Sequence, residues 1–210
     1  MLDWNFSEMQ QLVLNIGPAV EPDLDNYVAG PNAEALAAVR SFAAGSTREA
    51  ILYLWGEPGS GRSHLLRAAA KAKPALVIAD DVEKLDAPAQ QRLFAAINAA
   101  REGAAPVLAA GSQPPLQLAL REDLRTRLAW GLVYQLKPLT DAEKTLHLRA
   151  QAARRGLRLS DEVLGYLLSR LPRDLASLNA VLEALDRYSL ATKRPVTLPL
   201  VRAALERKNP

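Results

Sequence analysis

The stretch Gly56-Glu-Pro-Gly-Ser-Gly-Arg62-Ser63 constrains this chain more than any other part of it. Its spacing is G-x-x-x-x-G followed by a basic residue and a hydroxyl. It follows an apolar run of strand length, Ile51 to Trp55, and opens a helical stretch that reaches about Ala72. Glycines at 56, 59 and 61 let backbone N–H groups converge on phosphate oxygens, and the N-terminus of the helix adds its positive partial charge. Ser63 is placed to ligate Mg²⁺. Arg62 stands where such loops usually carry lysine; its planar fork keeps the charge but does not fill a point-charge niche in the same way. Nucleotide binding is therefore expected to survive, with in-cis hydrolysis disfavoured.

The elements around the loop alternate. Ala75 to Ala79 reads as a second buried strand, closed by Asp80 and Asp81, and Val107 to Ala110 and Leu132 to Leu136 as a third and a fourth. Between them, Asp86 and Pro88 open a helix bearing Leu93, Phe94 and Ile97, and an arginine-bearing helix follows Pro114 and Pro115. Asn32 is expected to cap a helix running to Ala44, which Gly45 ends. Alternation of this kind implies parallel strands joined by right-handed crossovers, an α/β sandwich over residues 32–137. Only 17 positions separate Ser63 from Asp80, too few for a further strand and helix, so the sheet is expected to lack one strand. Asp80 at a strand end suits a carboxylate that holds the Mg²⁺ shell beside Ser63, and Asp81 one that orients an attacking water. Without the loop, both would read as an ordinary polar strand end.

The two flanks differ from this middle. Residues 1–31 carry prolines at 18, 22 and 31 and glycines at 17 and 30, which forbid a long helix, and read as an irregular arm. From residue 138 onward the signals are all helical. Thr140 and Glu143 form a T-x-x-E capping box, Ser160 and Asp174 are further caps, and Leu175, Leu178, Leu182 and Leu185 recur at helical spacing. A small bundle of helices is expected there.

With 49% hydrophobic residues and few aromatics in a 210-residue chain, the core must be aliphatic. There is no cysteine, which excludes disulfides, thiolate catalysis and sulfur-held zinc and fits a reducing cytosol. No apolar run reaches the ~20 residues that cross a bilayer, and the first residues carry acids where a signal peptide carries Lys or Arg. A cytoplasmic protein without membrane attachment is expected. A formal charge of +3 does not by itself argue for DNA binding. The run from Lys144 to Arg158 reads as a solvated helix face.

From these residues the chain resembles the AAA+ domain of the DnaA initiator family, most closely its smaller Hda branch, which inactivates DnaA. The likeness runs from about Gln11 to Leu205. It implies an AAA+ P-loop sheet with a C-terminal helical lid. LDNYVAG looks like the family's leading segment, in which Asn26, Tyr27 and Val28 would flank the adenine. GSGRSHLLRAA looks like the Hda variant of the loop, so that Gly56, Gly59, Ser60, Gly61, Arg62, Ser63 and His64 would hold ADP or ATP. GSQPP resembles the sensor-1 turn, with Ser112 near the γ-phosphate, and DLRTRLAWG the arginine-finger box, which makes Arg127 the finger. Gln11, Leu12, Leu14 and Ile16, in QLVLNI, resemble the peptide that grips the DNA sliding clamp.

The departures matter too. The chain stops about where DnaA's DNA-binding domain would begin, so no sequence-specific DNA contact is expected. Ala176 stands at the sensor-2 arginine position, with Arg173 one turn earlier. Together with Arg62 and the missing strand, this favours an adaptor over a motor. The expected role is to bind nucleotide, hold the clamp, present Arg127 to ATP-bound DnaA and so end initiation. The alternatives are an autonomous ATPase such as a helicase loader and a nucleotide-free scaffold. The residues are compatible with ADP or ATP as the ligand, with self-association, and with a start at Met1 or Met9.

Overall fold

The computed structural model describes residues 21–170, 175–193 and 195–206. Two compact units follow one another, one from Glu21 to Thr140 and one from Asp141 onward. The proposed clamp residues Gln11, Leu12, Leu14 and Ile16 lie outside the described residues, as do Arg173 and the expected cap Asp174.

The first unit is built on four parallel strands in the order β2-β3-β1-β4: β1 (Ile51–Gly56), β2 (Val77–Ala79), β3 (Val107–Gly111) and β4 (Leu132–Leu136). The register runs from Ile51↔Val107 to Trp55↔Gly111 on one side of β1, and from Leu52↔Leu132 to Gly56↔Leu136 on the other. Between helix α2 (Arg62–Ala72) and β2 the chain makes only a short turn, with Leu76 N–H donating to Lys73 O at 3.0 Å. The expected shortening of the sheet by a strand is realised there.

Period-two alternation splits β1 between two cores. Leu52 and Leu54, with Leu108, Ala110 and Leu136, face α1 (Ala33–Ala44) and α2 through Val39, Phe42, Leu65 and Leu66. Ile51 and Tyr53, with Val107 and Ala109, face α3 (Ala87–Arg101) and α4 (Glu122–Leu128) through Leu93, Ile97, Leu124 and Leu128. Each fully buried aliphatic side chain here stabilises the fold by about 1.5–3 kcal/mol. The continuous apolar run of β1 is thus the signature of a strand covered on both faces.

The caps divide into kept and reassigned. Asp86 caps α3 as expected, its carboxylate accepting from Ala89 N–H at 2.8 Å, and Gly45 closes α1 in the left-handed region at φ 72°. Asn32 sits at the N-cap position of α1 but makes no side-chain capping bond. The expectation is corrected: its buried amide instead bridges the Lys137 backbone after β4. Nδ2 donates to Lys137 O and Oδ1 accepts from Lys137 N–H, each at 2.8 Å. Two long-range bonds, to the N–H and the C=O of Lys137, outweigh a single local cap.

The second unit consists of α5 (Asp141–Arg154), α6 (Asp161–Arg170), α7 (Leu175–Thr192) and α8 (Leu198–Glu206). Its own core includes Leu148, Leu157, Leu164, Leu178, Leu182 and Leu185. Ser160 caps α6, accepting from Val163 N–H at 3.4 Å. Among the described residues no helix is long and apolar enough to cross a membrane.

These roles rank two truncations. Asn32→Ala should cost about 2–3 kcal/mol in urea unfolding, because it removes both bonds to the Lys137 backbone, and Asp86→Ala about 1 kcal/mol. Equal or reversed costs would contradict the reassignment of Asn32.

Candidate functional site

The carboxyl end of β1 delivers the loop. Gly56 pairs with Leu136, and a Cβ there would stand 2.2 Å from the Leu136 carbonyl oxygen, so β4 admits only glycine at the exit. Gly61 forms the N-cap of α2 at φ 94°, and a Cβ would meet the Tyr27 ring at 2.7 Å. The first backbone bond of α2 runs from Leu65 N–H to Gly61 O at 3.1 Å. The amides ahead of it, in Arg62 through His64, therefore lack intrahelical acceptors and carry the positive end of the helix dipole.

Two polar atoms of the loop are buried without a partner: Ser60 Oγ and one terminal nitrogen of Arg62. The Arg62 side chain is only 11% exposed, and its other terminal nitrogen lies 3.6 Å from Asp81 Oδ1. A buried, half-satisfied guanidinium at a helix N-terminus is arranged for an anion, so these residues fit a phosphate chain.

The acidic side is assembled at the end of β2. Asp80 follows β2, and its Oδ1 accepts from Asp81 N–H at 3.0 Å. Asp81 adopts a left-handed conformation at φ 46° and turns its carboxylate to Arg62 and to Lys84 Nζ, the latter at 2.7 Å. The residue expected to orient water is therefore engaged by the loop's own arginine. No group of three or more His, Cys, Asp or Glu among the described residues could hold a metal by itself. Ser63 and Asp80 would bind Mg²⁺ only with phosphate oxygens and waters as its other ligands.

Sequence reasoning missed Glu83 and Tyr53. Glu83 Oε1 accepts from Ser112 N–H at 3.2 Å, and its Oε2 is buried without a partner. The Tyr53 hydroxyl donates to Gln113 O at 2.9 Å. Burial pushes that hydroxyl well above the ordinary phenol range, with the Glu83 charge adding to the shift and Arg62 opposing it. Glu83 and Tyr53 thus pin the turn bearing Ser112, whose side is set beside the loop by the pairing Trp55↔Gly111. A tyrosine between Leu52 and Leu54 in the buried run of β1 was the available signal.

The leading segment lies on the first turns of α2. Tyr27 contacts His64, ring centroids 5.4 Å apart, and donates its hydroxyl to Ser60 O at 3.3 Å. Val28 is half-buried. Asn26 is exposed and closes its own turn, accepting from Asp23 N–H at 3.0 Å and donating to Glu21 O at 2.8 Å. Tyr27 therefore joins the loop, while the Asn26 amide serves the turn. A surface hollow of about 480 Å³ opens between α1 and α2, lined in part by Asp23, Arg40 and Lys71. It includes none of the loop residues, so the loop's chemistry rather than its depth marks the site.

Arg127 is elsewhere. It lies on α4, one turn before Trp130 and the start of β4, at the amino end of the sheet. The phosphate loop leaves the carboxyl end, the length of a six-residue strand away, or roughly 17–20 Å. Asn98 Oδ1 accepts a hydrogen bond from the Arg127 guanidinium, which stacks 4.3 Å from the Trp130 ring centre and 5.1 Å from that of Phe94. Arg101 stacks on Trp130, also at 4.3 Å. Trp130 remains 47% exposed beside a hollow of about 240 Å³ that Arg48, Glu49, Ile51 and Gly131 help to line.

Residues 141–205 match the family model described as the Hda lid domain. The whole described fold is similar to domain III of the Thermotoga maritima replication initiation protein DnaA. The TM-score is 0.69 at 20% identity, covering 91% of this chain and 98% of that one. A DnaA replication initiator bound to AMPPCP and single-stranded DNA gives a TM-score of 0.65 at 19% identity, covering 92% of this chain and 70% of that one. A Thermotoga maritima RuvB variant gives 0.61 at 15% identity, covering 88% and 71%. The fold is thus the one shared with domain III of DnaA and with RuvB, and the C-terminal helices match the Hda lid model.

The orphaned guanidinium gives the site its test. Arg62→Ala should lower ADP affinity by about 10- to 100-fold in calorimetry, the range of one charge-assisted hydrogen bond. Unchanged affinity would contradict the assignment.

Proposed function

We propose that this chain is a nucleotide-bound, clamp-tethered regulator that stimulates ATP hydrolysis by a DnaA-type initiator in trans and thereby ends replication initiation. The observation that carries this reading is the separation of the two functional groups. The phosphate loop leaves the carboxyl end of β1, whereas Arg127 stands by the amino end of the sheet. An arginine so placed does not reach the phosphates of its own subunit, but it is available to a neighbour's. A guanidinium delivered to a γ-phosphate stabilises charge that develops in the transition state and raises hydrolysis by ~10³ or more. The Trp130 and Phe94 rings and Asn98 hold Arg127 in one orientation before it docks, which reduces the ordering cost on association.

In this reading the chain's own nucleotide is a structural ligand, ADP or ATP with Mg²⁺, and supplies binding energy rather than turnover. Ser60, Gly61, Arg62, Ser63 and His64 surround its phosphates, Ser112 stands beside them, and Tyr27 and Val28 line the approach. Asp81, bound to Arg62 and Lys84, is not set to activate water, which argues against an autonomous ATPase. Gln11, Leu12, Leu14 and Ile16 supply the clamp-binding peptide. The partners are the initiator and the sliding clamp, in the cytoplasm, with neither direct sequence-specific DNA reading nor a membrane involved.

Mixing the protein with ATP-bound DnaA, the clamp and DNA should accelerate DnaA's ATP hydrolysis. Arg127→Ala should remove that acceleration by more than about 100-fold while its own ADP binding stays intact. Full acceleration by the variant, or none by the parent protein, would contradict the proposal.

A further inference from the structure

The phosphate loop has a weak point at the peptide joining Ser60 to Gly61. Its second residue is Gly61, at φ 94°, and glycine permits a peptide plane to turn over at little steric cost. The direction of this plane decides what the loop offers. The peptide is trans, so the Ser60 carbonyl and the Gly61 N–H point to opposite sides. Turning it would aim a carbonyl oxygen where an anion needs a donor.

One side chain holds that plane. The Tyr27 hydroxyl donates to Ser60 O at 3.3 Å, and its ring fills the space beside the Gly61 Cα. Tyr27 is held in turn, because Asn32 Nδ2 donates to its hydroxyl oxygen at 3.3 Å. Asn32 is 3% exposed and is fixed by its two 2.8 Å bonds to the Lys137 backbone. Further along the segment, Asp23 O meets His64 Nε2 at 3.1 Å, and Lys71 Nζ donates to Asp23 Oδ2 at 3.1 Å. The chain from Lys137 through Asn32 and Tyr27 to Ser60 thus links the end of β4 to the loop that follows β1.

We infer that Tyr27 is a positioning residue for the phosphate loop, acting through the Ser60 carbonyl rather than through the nucleotide base. It fixes the Ser60–Gly61 peptide so that the Gly61 N–H faces away from Tyr27 and towards the phosphate chain of a nucleoside diphosphate or triphosphate. Asn32 is the anchor that keeps the tyrosine in place. The inference rests on the nucleotide-site reading above and extends it by separating a phosphate-ordering role from the base contact that the sequence suggested for Tyr27.

Tyr27→Phe tests this, since it keeps the ring against Gly61 and His64 and removes only the hydroxyl. Affinities for ADP and, by competition at millimolar concentration, for adenosine are measured on the full chain alongside its melting temperature. The variant should melt as the parent does and bind ADP roughly 3- to 10-fold more weakly, the worth of one neutral hydrogen bond. Its adenosine affinity should be unchanged, so the preference for ADP over adenosine should fall by the same factor. Equal weakening of both ligands would place the role of Tyr27 at the base, and unchanged ADP affinity would show that the hydroxyl orders nothing; either overturns the inference alone. A parent protein that fails to bind ADP overturns the nucleotide-site reading and this inference together.

Discussion

Burial of Ile51–Gly56 between two parallel neighbours is the constraint from which the rest of the first unit follows. With both faces covered, β1 has no freedom of register, because a one-residue slip would exchange Leu52 and Leu54 with Ile51 and Tyr53 between the two cores. The register fixes what emerges at each end. At the carboxyl end it sets Gly56 against Leu136 and Trp55 against Gly111, so the loop opens between the chain after β4 and the Ser112 turn. At the amino end it brings Trp130 beside Ile51, with Arg127 stacked on that tryptophan.

Charge is distributed along the same axis. The loop end gathers Arg62, Asp80, Asp81, Glu83 and Lys84, a mixed set in which acids and bases already face each other. The opposite end gathers Arg101 and Arg127 on the aromatic rings of Trp130 and Phe94, with no carboxylate in ion-pair contact with either guanidinium among the described residues. Arginine stacks on aromatics at little desolvation cost, so these cations stay available to an anionic partner. In the proposed reading the first end would hold the nucleotide and the second would be presented.

Most of this was legible in the residues. The loop motif, the four strand runs and the Asp86, Gly45 and Ser160 caps are local signals, and they appear where short-range spacing puts them. The short interval between Ser63 and Asp80 foretold the four-stranded sheet by simple length. What failed was long-range. Asn32 reads as a cap from its neighbours alone, but the peptide it binds is 105 residues away. Glu83 carries no local signal, because the Ser112 amide that it accepts from is 29 residues on. The restraint of Arg127 by Asn98 likewise joins two helices across 29 positions.

The central claim is that the loop after β1 holds a nucleotide that Arg127 of the same chain never touches. A crystal structure of the full chain grown with excess Mg²⁺ and ADP measures both halves at once. The account predicts diphosphate oxygens within hydrogen-bond distance of the amides and guanidinium of Gly61 through Ser63, with Arg127 of that subunit at least about 15 Å away, as the strand length requires. A loop closed by its own side chains, or Arg127 in contact with its own subunit's nucleotide, would contradict it.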